Sequence, residues 1–178
     1  EPDGESDGDG ESDTDGESDG ESEPDAQKLA AADALGEARA APALLAAVDD
    51  PSVPPLVRLQ AASALARAAR PGDASTLARL RGEEPTSDLR AALHRALAAV
   101  DRPRGATIAR QVLRGTAATP GFDAGVHDVE YRAAVEILGE AGDTADLPLL
   151  LASPVSRDRR AGGLSAATRI VSRLPPGP

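Results

Sequence analysis

Apolar residues recur along the chain from residue 27 onward with the spacing of one helix face. In the copy that ends at Val100 they fall at offsets of 0, 4, 7, 8 and 11 from Leu89, which predicts an amphipathic helix. The pattern aligns four times around a central anchor leucine, and the anchors are separated by 30, 32 and 41 residues. The anchors are Leu35, Leu65, Leu97 and Leu138.

A second apolar run follows each anchored helix after a break in the pattern. Pro71 and Pro103 both lie six residues past their leucine, and Gly142 and Asp143 occupy the matching turn in the fourth copy. Proline and glycine interrupt helices, so we expect a second helix to begin there, capped by Asp73 or by Asp143 or Thr144. The second runs contain Leu44, Leu45 and Val48; Leu77 and Leu80; Ile108 and Val112; and Leu147, Leu149, Leu150 and Leu151.

These paired helices predict an all-α fold. One pair cannot bury its apolar face alone, whereas stacked pairs can, so we expect a right-handed α-solenoid of about four to five two-helix repeats. Loops at 49–55, 81–88, 114–128 and 152–158 separate the units. A last, irregular helix is expected near 159–173, weakened by its two adjacent glycines, Gly162 and Gly163.

Charge divides the chain into a tail and a body. Residues 1–25 hold 13 of the 30 acidic residues and none of the 19 basic ones, and the rest of the chain is close to neutral at +2. Every odd position of the tail is Asp or Glu and every even one is Ser, Gly, Thr or Pro, so the tail has no apolar area to bury. We predict a disordered acidic tail at 1–25, a helical repeat domain at 26–173 and a Pro-rich terminus at 174–178.

The acidic tail and the amino-acid composition limit the kinds of site that the chain can contain. Acidic residues between Glu11 and Asp19 approximate a calcium loop, but no flanking helices are predicted, so we expect a solvated polyanion that attracts cations diffusely. The absence of cysteine excludes disulfides and thiolate chemistry. We see no apolar stretch long enough for a membrane span and expect a cytoplasmic location. Because methionine is also absent, we expect a processed chain or a piece of a longer one.

Three segments share one motif: KLAAADALGEA at 28–38, VRLQAASALARAARPGD at 57–73 and YRAAVEILGEAGDTADLPLL at 131–150. They resemble the short HEAT-like repeats also seen in phycobilisome lyases. The resemblance covers about 26–155. The insertion at 114–128 and the irregular last helix depart from it, which leaves the number of complete repeats open.

The resemblance implies a scaffold that binds protein or peptide on its inner face, with no catalytic residue and no cofactor. A lyase-type enzyme, or a subunit of one, is the alternative, and a nucleic-acid-binding repeat protein is the second. The di-iron hydroxylase branch of the family uses His-Glu pairs, and neither His94 nor His127 is followed by Glu. The DNA-glycosylase-like branch of the family relies on aromatic residues beside a strongly basic concave face. This chain has no tryptophan and a body of only +2, so nucleic acid is not the expected partner.

Two groups of residues have a catalytic or metal-binding interpretation beside a simpler one. Asp123, His127, Asp128 and Glu130 could hold a metal ion, but a polar loop in which His127 or Asp128 caps the next helix is the simpler interpretation, and we predict no metal site. Ser165 lies in a Gly-Gly-Leu-Ser segment with no strand before it, so it does not fit a nucleophile elbow. We expect His94 to lie at the surface or at its boundary.

Arginines on the second helices are the candidate partner-binding residues. Arg79 and Arg81 lie in unit two, and Arg110 and Arg114 lie in unit three, where their spacing of four places them on one face. In the HEAT family these helices line the concave surface. Arg102 and Arg104 stand on the neighbouring turn. Guanidinium groups pair well with carboxylate and phosphate, so we expect an acidic partner, although the residues also fit a plain solvated face.

Overall fold

The computed structural model describes residues 41–117, 128–152 and 157–175. These ranges contain eight α-helices and two 3₁₀ turns, and no strand. The helices are α1 (Ala41–Asp49), α2 (Pro55–Ala68), α3 (Ala74–Glu83), α4 (Ser87–Val100), α5 (Arg102–Ala117), α6 (Asp128–Ala141), α7 (Leu147–Leu151) and α8 (Arg157–Ser172). The predictions for the acidic tail, for Leu35 and for residues 118–127 lie outside the described part of the chain.

The helices pack in chain order. Helix α2 contacts α4, α4 contacts α6, and α6 contacts α8. Each odd-numbered helix packs against the even-numbered helix that follows it, so α1 lies on α2, α3 on α4, α5 on α6 and α7 on α8. The even-numbered helices therefore form a continuous row, and α4 makes a further contact with α5.

The three described anchor leucines occupy equivalent interior places in that row. Leu65 on α2, Leu97 on α4 and Leu138 on α6 are each 0% exposed, which confirms the predicted register. Alanines surround them on the same faces; Ala64 and Ala96 are at most 1% exposed. Small side chains let the helix axes approach closely, so each leucine contributes a large share of the apolar volume.

The interior consists of two apolar clusters. The first is formed by buried residues of α1 to α4, and the second by buried residues of α5 to α8. In α5 the buried positions are Ala106, Ala109 and Leu113, whereas the predicted Ile108 and Val112 are only half-buried. Ile108 packs on the first cluster and Val112 on the second, so α5 lies between the two.

Helix ends differ in detail from the sequence prediction. Helix α2 ends at Ala68, and Pro71 opens a 3₁₀ turn in which the Asp73 carboxylate accepts the N–H of Arg70 rather than capping α3. In the later turn Asp143 Oδ1 accepts the N–H of Ala145 at 2.8 Å, so Asp143 caps the 3₁₀ turn Thr144–Asp146 rather than α7, whose own N-cap residue, Asp146, makes no side-chain capping bond. The loop predicted at 81–88 is shorter than expected, because α3 continues to Glu83 and α4 begins at Ser87.

The last helix is continuous, contrary to the expectation that its glycines would weaken it. A Cβ on Gly163 would lie 2.3 Å from the Leu150 carbonyl oxygen, so only glycine lets α8 approach α7 this closely. Ala166 and Ile170, one and two turns further on, are buried in the second cluster. Packing against α6 and α7 therefore compensates for the low helix propensity of the two glycines.

Candidate partner-binding surface

The six arginines predicted to face a partner lie in different environments. Arg79 on α3 binds two carboxylates, with Nη2 at 2.8 Å from Asp49 Oδ2 and Nη1 at 2.6 Å from Glu83 Oε2. Its side chain is 46% exposed, so the pairs lie in water and stabilise little. Arg79 thus joins α3 to the end of α1, and its charge is already balanced.

Arg110 and Arg114 come together beside the start of α7, as their spacing predicts. The Arg110 guanidinium donates from Nε to Asp146 Oδ1 at 2.6 Å and from Nη2 to Oδ2 at 2.9 Å. These hydrogen bonds are the main reason that the pKa of the buried Asp146 carboxyl is lowered, and the nearby Arg114 charge lowers it further. Arg110 is therefore a structural residue of the α5–α7 contact, whereas Arg114 is exposed.

Arg102 and Arg104 are exposed at the beginning of α5. The Arg104 backbone N–H is bonded to Asp101 Oδ1 at 3.1 Å, which caps the helix and leaves the guanidinium in solvent. Arg102 borders a groove of about 380 Å³ between α2, α4 and α6, with an alanine-rich floor. Arg95 and Glu136 form an ion pair of 2.8 Å on its edge. Arg102 and Arg104 are thus exposed like Arg114, whereas Arg79 and Arg110 are paired with carboxylates.

A line of charged residues crosses the boundary between the two apolar clusters, a feature we call the polar seam. It begins with Arg58 on α2, whose Nη2 lies 2.8 Å from Glu84 Oε2. It continues with Arg90 on α4, whose Nε lies 2.8 Å from Glu130 Oε1 on α6 and whose Nη1 binds the carbonyl of Glu84. Burial opposes ionisation of Glu84, but hydrogen bonds from Thr86 and Arg58 lower its pKa. The seam therefore ties three successive even-numbered helices together.

His94 lies in this seam, and the expectation of a surface residue was wrong. It is 1% exposed, and its Nε2 lies 3.0 Å from the carbonyl oxygen of Gly105. Burial lowers the pKa of His94 to about 4; the Gly105 hydrogen bond and Glu130 oppose the shift, and Arg81 and Arg95 add to it. The ring is consequently neutral at pH 7, so its bonded N–H is a structural donor between α4 and α5.

Arg58 and Arg90 are each paired with a carboxylate, but Arg81 differs from them. Its Nε is buried and has no hydrogen-bond partner among the described residues. Burial lowers the pKa of its guanidinium, the Glu130 carboxylate opposes that shift, and the Arg90 charge adds to it. Arg81 therefore belongs to the polar seam. It does not form one stripe with Arg79, which faces α1.

The structure describes two of the four residues that could hold a metal ion, Asp128 and Glu130. Asp123 and His127 lie outside the described residues. Asp128 begins α6 and pairs with Arg159 at 3.3 Å, while Glu130 is held by Arg90. Within the described ranges no group of three or more His, Asp or Glu residues is arranged to hold a metal ion. Both described carboxylates are thus engaged by arginines.

Ser165 lies in a groove of about 370 Å³ between α6 and α8. The walls carry both signs of charge, with Asp158 and Glu136 beside Arg132 and Arg169. Ser165 follows helical residues and is exposed, so its surroundings differ from those of an activated nucleophile.

Comparison with known proteins adds no relative: no family model, no curated protein and no solved structure matches this chain. In the described part of the chain, every helix is too short or too polar to cross a membrane.

Sequence reasoning missed the polar seam, although the repeat contains a signal for it. Arg58 and Arg90 each lie seven residues before an anchor leucine, and Tyr131 occupies that position in α6. The positions that match His94, three before an anchor, are Ala62 and Val135, and both are buried. Aligning the polar positions as well as the apolar ones would have predicted a buried histidine.

Proposed function

We propose that this chain is a non-catalytic HEAT-like scaffold, a right-handed α-solenoid that binds an acidic protein or peptide segment along α5. The charge of α5 carries the proposal, since its sequence RPRGATIARQVLRGTA holds four arginines and no carboxylate. Arg110 is balanced by Asp146. Arg102, Arg104 and Arg114 direct the remaining positive charge into solvent, where a carboxylate-bearing partner would be attracted.

The order of the helices supports the repeat interpretation. The even-numbered helices contact one another in chain order, and Leu65, Leu97 and Leu138 occupy matching buried places. The arginine seven residues before the anchor is shared by α2 and α4. Repeats that contact mainly their neighbours in this way are typical of solenoid proteins, which use extended surfaces to bind macromolecules.

The position of the α5 arginines supports a binding role. Arg102 and Arg104 lie in the first turn, where the helix dipole disfavours positive charge. Asp101 offsets this cost in part by capping the helix. Residues that are locally unfavourable and make no packing contribution are typical of functional surfaces.

A peptide-binding measurement tests the proposal. The probe is a fluorescein-labelled 12-residue peptide of alternating Glu and Ser, titrated with the full chain at low salt. Replacing two exposed arginines of α5, Arg104→Gln and Arg114→Gln together, should weaken binding about three- to tenfold, because exposed charge pairs each contribute a fraction of a kcal/mol. The matched control is Arg70→Gln with Arg160→Gln, which removes two exposed charges elsewhere.

The outcomes separate three interpretations. A loss confined to the α5 variant supports the proposal. Equal losses in both variants would show that only net charge matters, and the proposal would fail. A single-stranded oligonucleotide of equal charge that binds more tightly than the peptide, with a steep dependence on salt, would favour the nucleic-acid alternative instead.

A further inference from the structure

The Arg81 guanidinium lacks the carboxylate that its neighbours have. Arg58 is paired with Glu84, Arg79 with Asp49 and Glu83, and Arg90 with Glu130. Arg81 has its Nε buried, and no described residue accepts a hydrogen bond from it. A buried donor that has lost water without gaining a partner is an unfavourable arrangement. It becomes favourable when a ligand supplies the acceptor.

The surroundings of Arg81 hold an excess of positive charge. Two guanidiniums, those of Arg81 and Arg90, act on a single carboxylate, that of Glu130. Both Nε and Nη2 of Arg90 donate to Oε1 of Glu130, so that carboxylate is already engaged. His94 is neutral at pH 7 and does not change the balance. The carboxylates closest in sequence, Glu83 and Glu84, are held by other arginines.

We propose that Arg81, flanked by Arg90, is a binding site for one carboxylate of an acidic polypeptide segment. The planar guanidinium fork fits a carboxylate through two parallel N–H donors. The Arg81 side chain is only half-buried, and turning it toward the carboxylate would bring the unsatisfied Nε–H out of its buried place. The site deepens the proposed function, on which it rests, because it gives the acidic segment one fixed point of attachment beside the diffuse charge of α5.

Two sources offer such a carboxylate. One is a separate acidic partner, and the other is the segment 1–25 of the same chain, with 13 carboxylates. Segment 1–25 can itself span up to about 85 Å when fully extended, and the 15 residues 26–40 join it to Ala41. A compact body of this size has a radius of gyration of about 14 Å. The chain length therefore lets residues 1–25 reach Arg81, and a tethered ligand acts at a high effective concentration.

Nuclear magnetic resonance of the arginine side chains tests the site directly. The full chain is labelled with ¹⁵N-arginine, and the Nε–Hε signal of Arg81 is assigned by its loss in Arg81→Lys. A second full-length variant has the 13 acidic residues of 1–25 replaced in place by Asn and Gln. The alternating Glu-Ser peptide is added to both chains at low salt.

The Arg81 signal distinguishes the sources. If the tail supplies the carboxylate, neutralising the tail shifts the signal, and the peptide then restores it with a saturable titration. If the carboxylate comes from another molecule, neutralising the tail leaves the signal in place, and the peptide shifts it in both chains. An Arg81 signal that responds to neither change overturns the proposal, and this result does not depend on whether a variant folds.

A matched pair of substitutions supplies a second readout. Arg81→Gln should weaken peptide binding to the tail-neutralised chain at least threefold, whereas Arg79→Gln, two residues away and already paired, should change it less than twofold. Equal effects would overturn the Arg81 site. If Arg81→Gln has no effect while the α5 variant still weakens binding, the site fails and the proposed function stands. If neither variant has an effect, both fail.

Discussion

Arg90 on α4 and Glu130 on α6 are 40 positions apart in the chain, yet Nε of Arg90 lies 2.8 Å from Oε1 of Glu130. Glu130 occupies a position that is apolar in the second and third copies, where Val57 and Leu89 stand. The carboxylate is tolerated there because Nε and Nη2 of Arg90 both donate to it, while Nη1 of the same arginine is held by the backbone carbonyls of Glu84 and Pro85. One guanidinium thus joins two units through their interior faces.

Removing one member of this pair should destabilise the fold more than removing both. Glu130→Leu leaves the Arg90 charge in a partly buried place without its carboxylate, and we expect a loss of about 3 kcal/mol in the free energy of unfolding. Arg90→Met with Glu130→Leu should lie within about 1 kcal/mol of the parent, because apolar packing replaces the pair. Urea unfolding measures both. A double variant less stable than either single one would contradict this account.

Leu97 should be among the most sensitive apolar residues, because alanines surround it and can fill little of the space it leaves. Leu97→Ala is expected to lower the free energy of unfolding by about 2–5 kcal/mol. The control is Leu164→Ala, since Leu164 is 53% exposed, and a change within about 0.5 kcal/mol is expected there. Thermal and urea unfolding curves that are identical for Leu97→Ala and the parent would refute the buried register.

The buried His94 should make stability depend on pH. Its pKa is lowered from 6.5 to about 4 in the folded chain, so between these values the unfolded chain binds a proton that the folded chain does not. Stability is therefore fully present above about pH 6.5 and falls as the pH decreases towards 4, by about 3 kcal/mol over the range. His94→Gln keeps a side-chain N–H but does not titrate. Urea unfolding at several pH values should show a smaller slope for this variant, and an unchanged slope would rule the explanation out.

Substitutions of the two arginines beside Asp146 should have different effects on stability, because only Arg110 is bonded to that carboxylate. Arg110→Ala removes both hydrogen bonds to a carboxylate that is 3% exposed, and we expect a loss of about 1–3 kcal/mol in stability. The loss should be present above the pKa of Asp146, which Arg110 lowers, and should diminish as the carboxyl is protonated at lower pH. Arg114→Ala should leave stability within about 0.5 kcal/mol of the parent. Equal stability losses in the two variants would disprove the distinction.

Gly105 should be required for the contact between α4 and α5. A Cβ at this position would lie 2.6 Å from Cβ and 2.7 Å from Cα of Ala98, so Gly105→Ala must push the helices apart. We expect a loss of about 1–3 kcal/mol. At Gly82 in α3 a Cβ would meet nothing within 4 Å, and Gly82→Ala should be neutral or stabilise by up to about 1 kcal/mol. Melting temperatures that move in the same direction for both would argue against the close approach.

The amino-acid sequence by itself was sufficient to predict the helices and their buried leucines. Leu65, Leu97 and Leu138 could be assigned to the interior because helical periodicity is a property of residues within a few turns of each other. The breaks in the helical pattern at Pro71 and Gly142 could be predicted for the same reason, because they depend only on residues close in the sequence. The least accurate positions were helix ends, where packing allowed α3 to extend to Glu83 and α8 to continue through Gly163.

Only the tertiary structure decided which arginine charges are left to bind a partner. Arg79, Arg110 and Arg114 all lie on second helices of the repeat. Carboxylates 30 and 36 positions away nevertheless balance the charges of Arg79 and Arg110. His94 is neutral and buried because α5 covers it, and Arg81 lacks an acceptor because the neighbouring acids are bound elsewhere. The range of an electrostatic contact is set by distance in space, and the stacking of neighbouring helices sets that distance. The periodicity of residues along one helix does not indicate that distance.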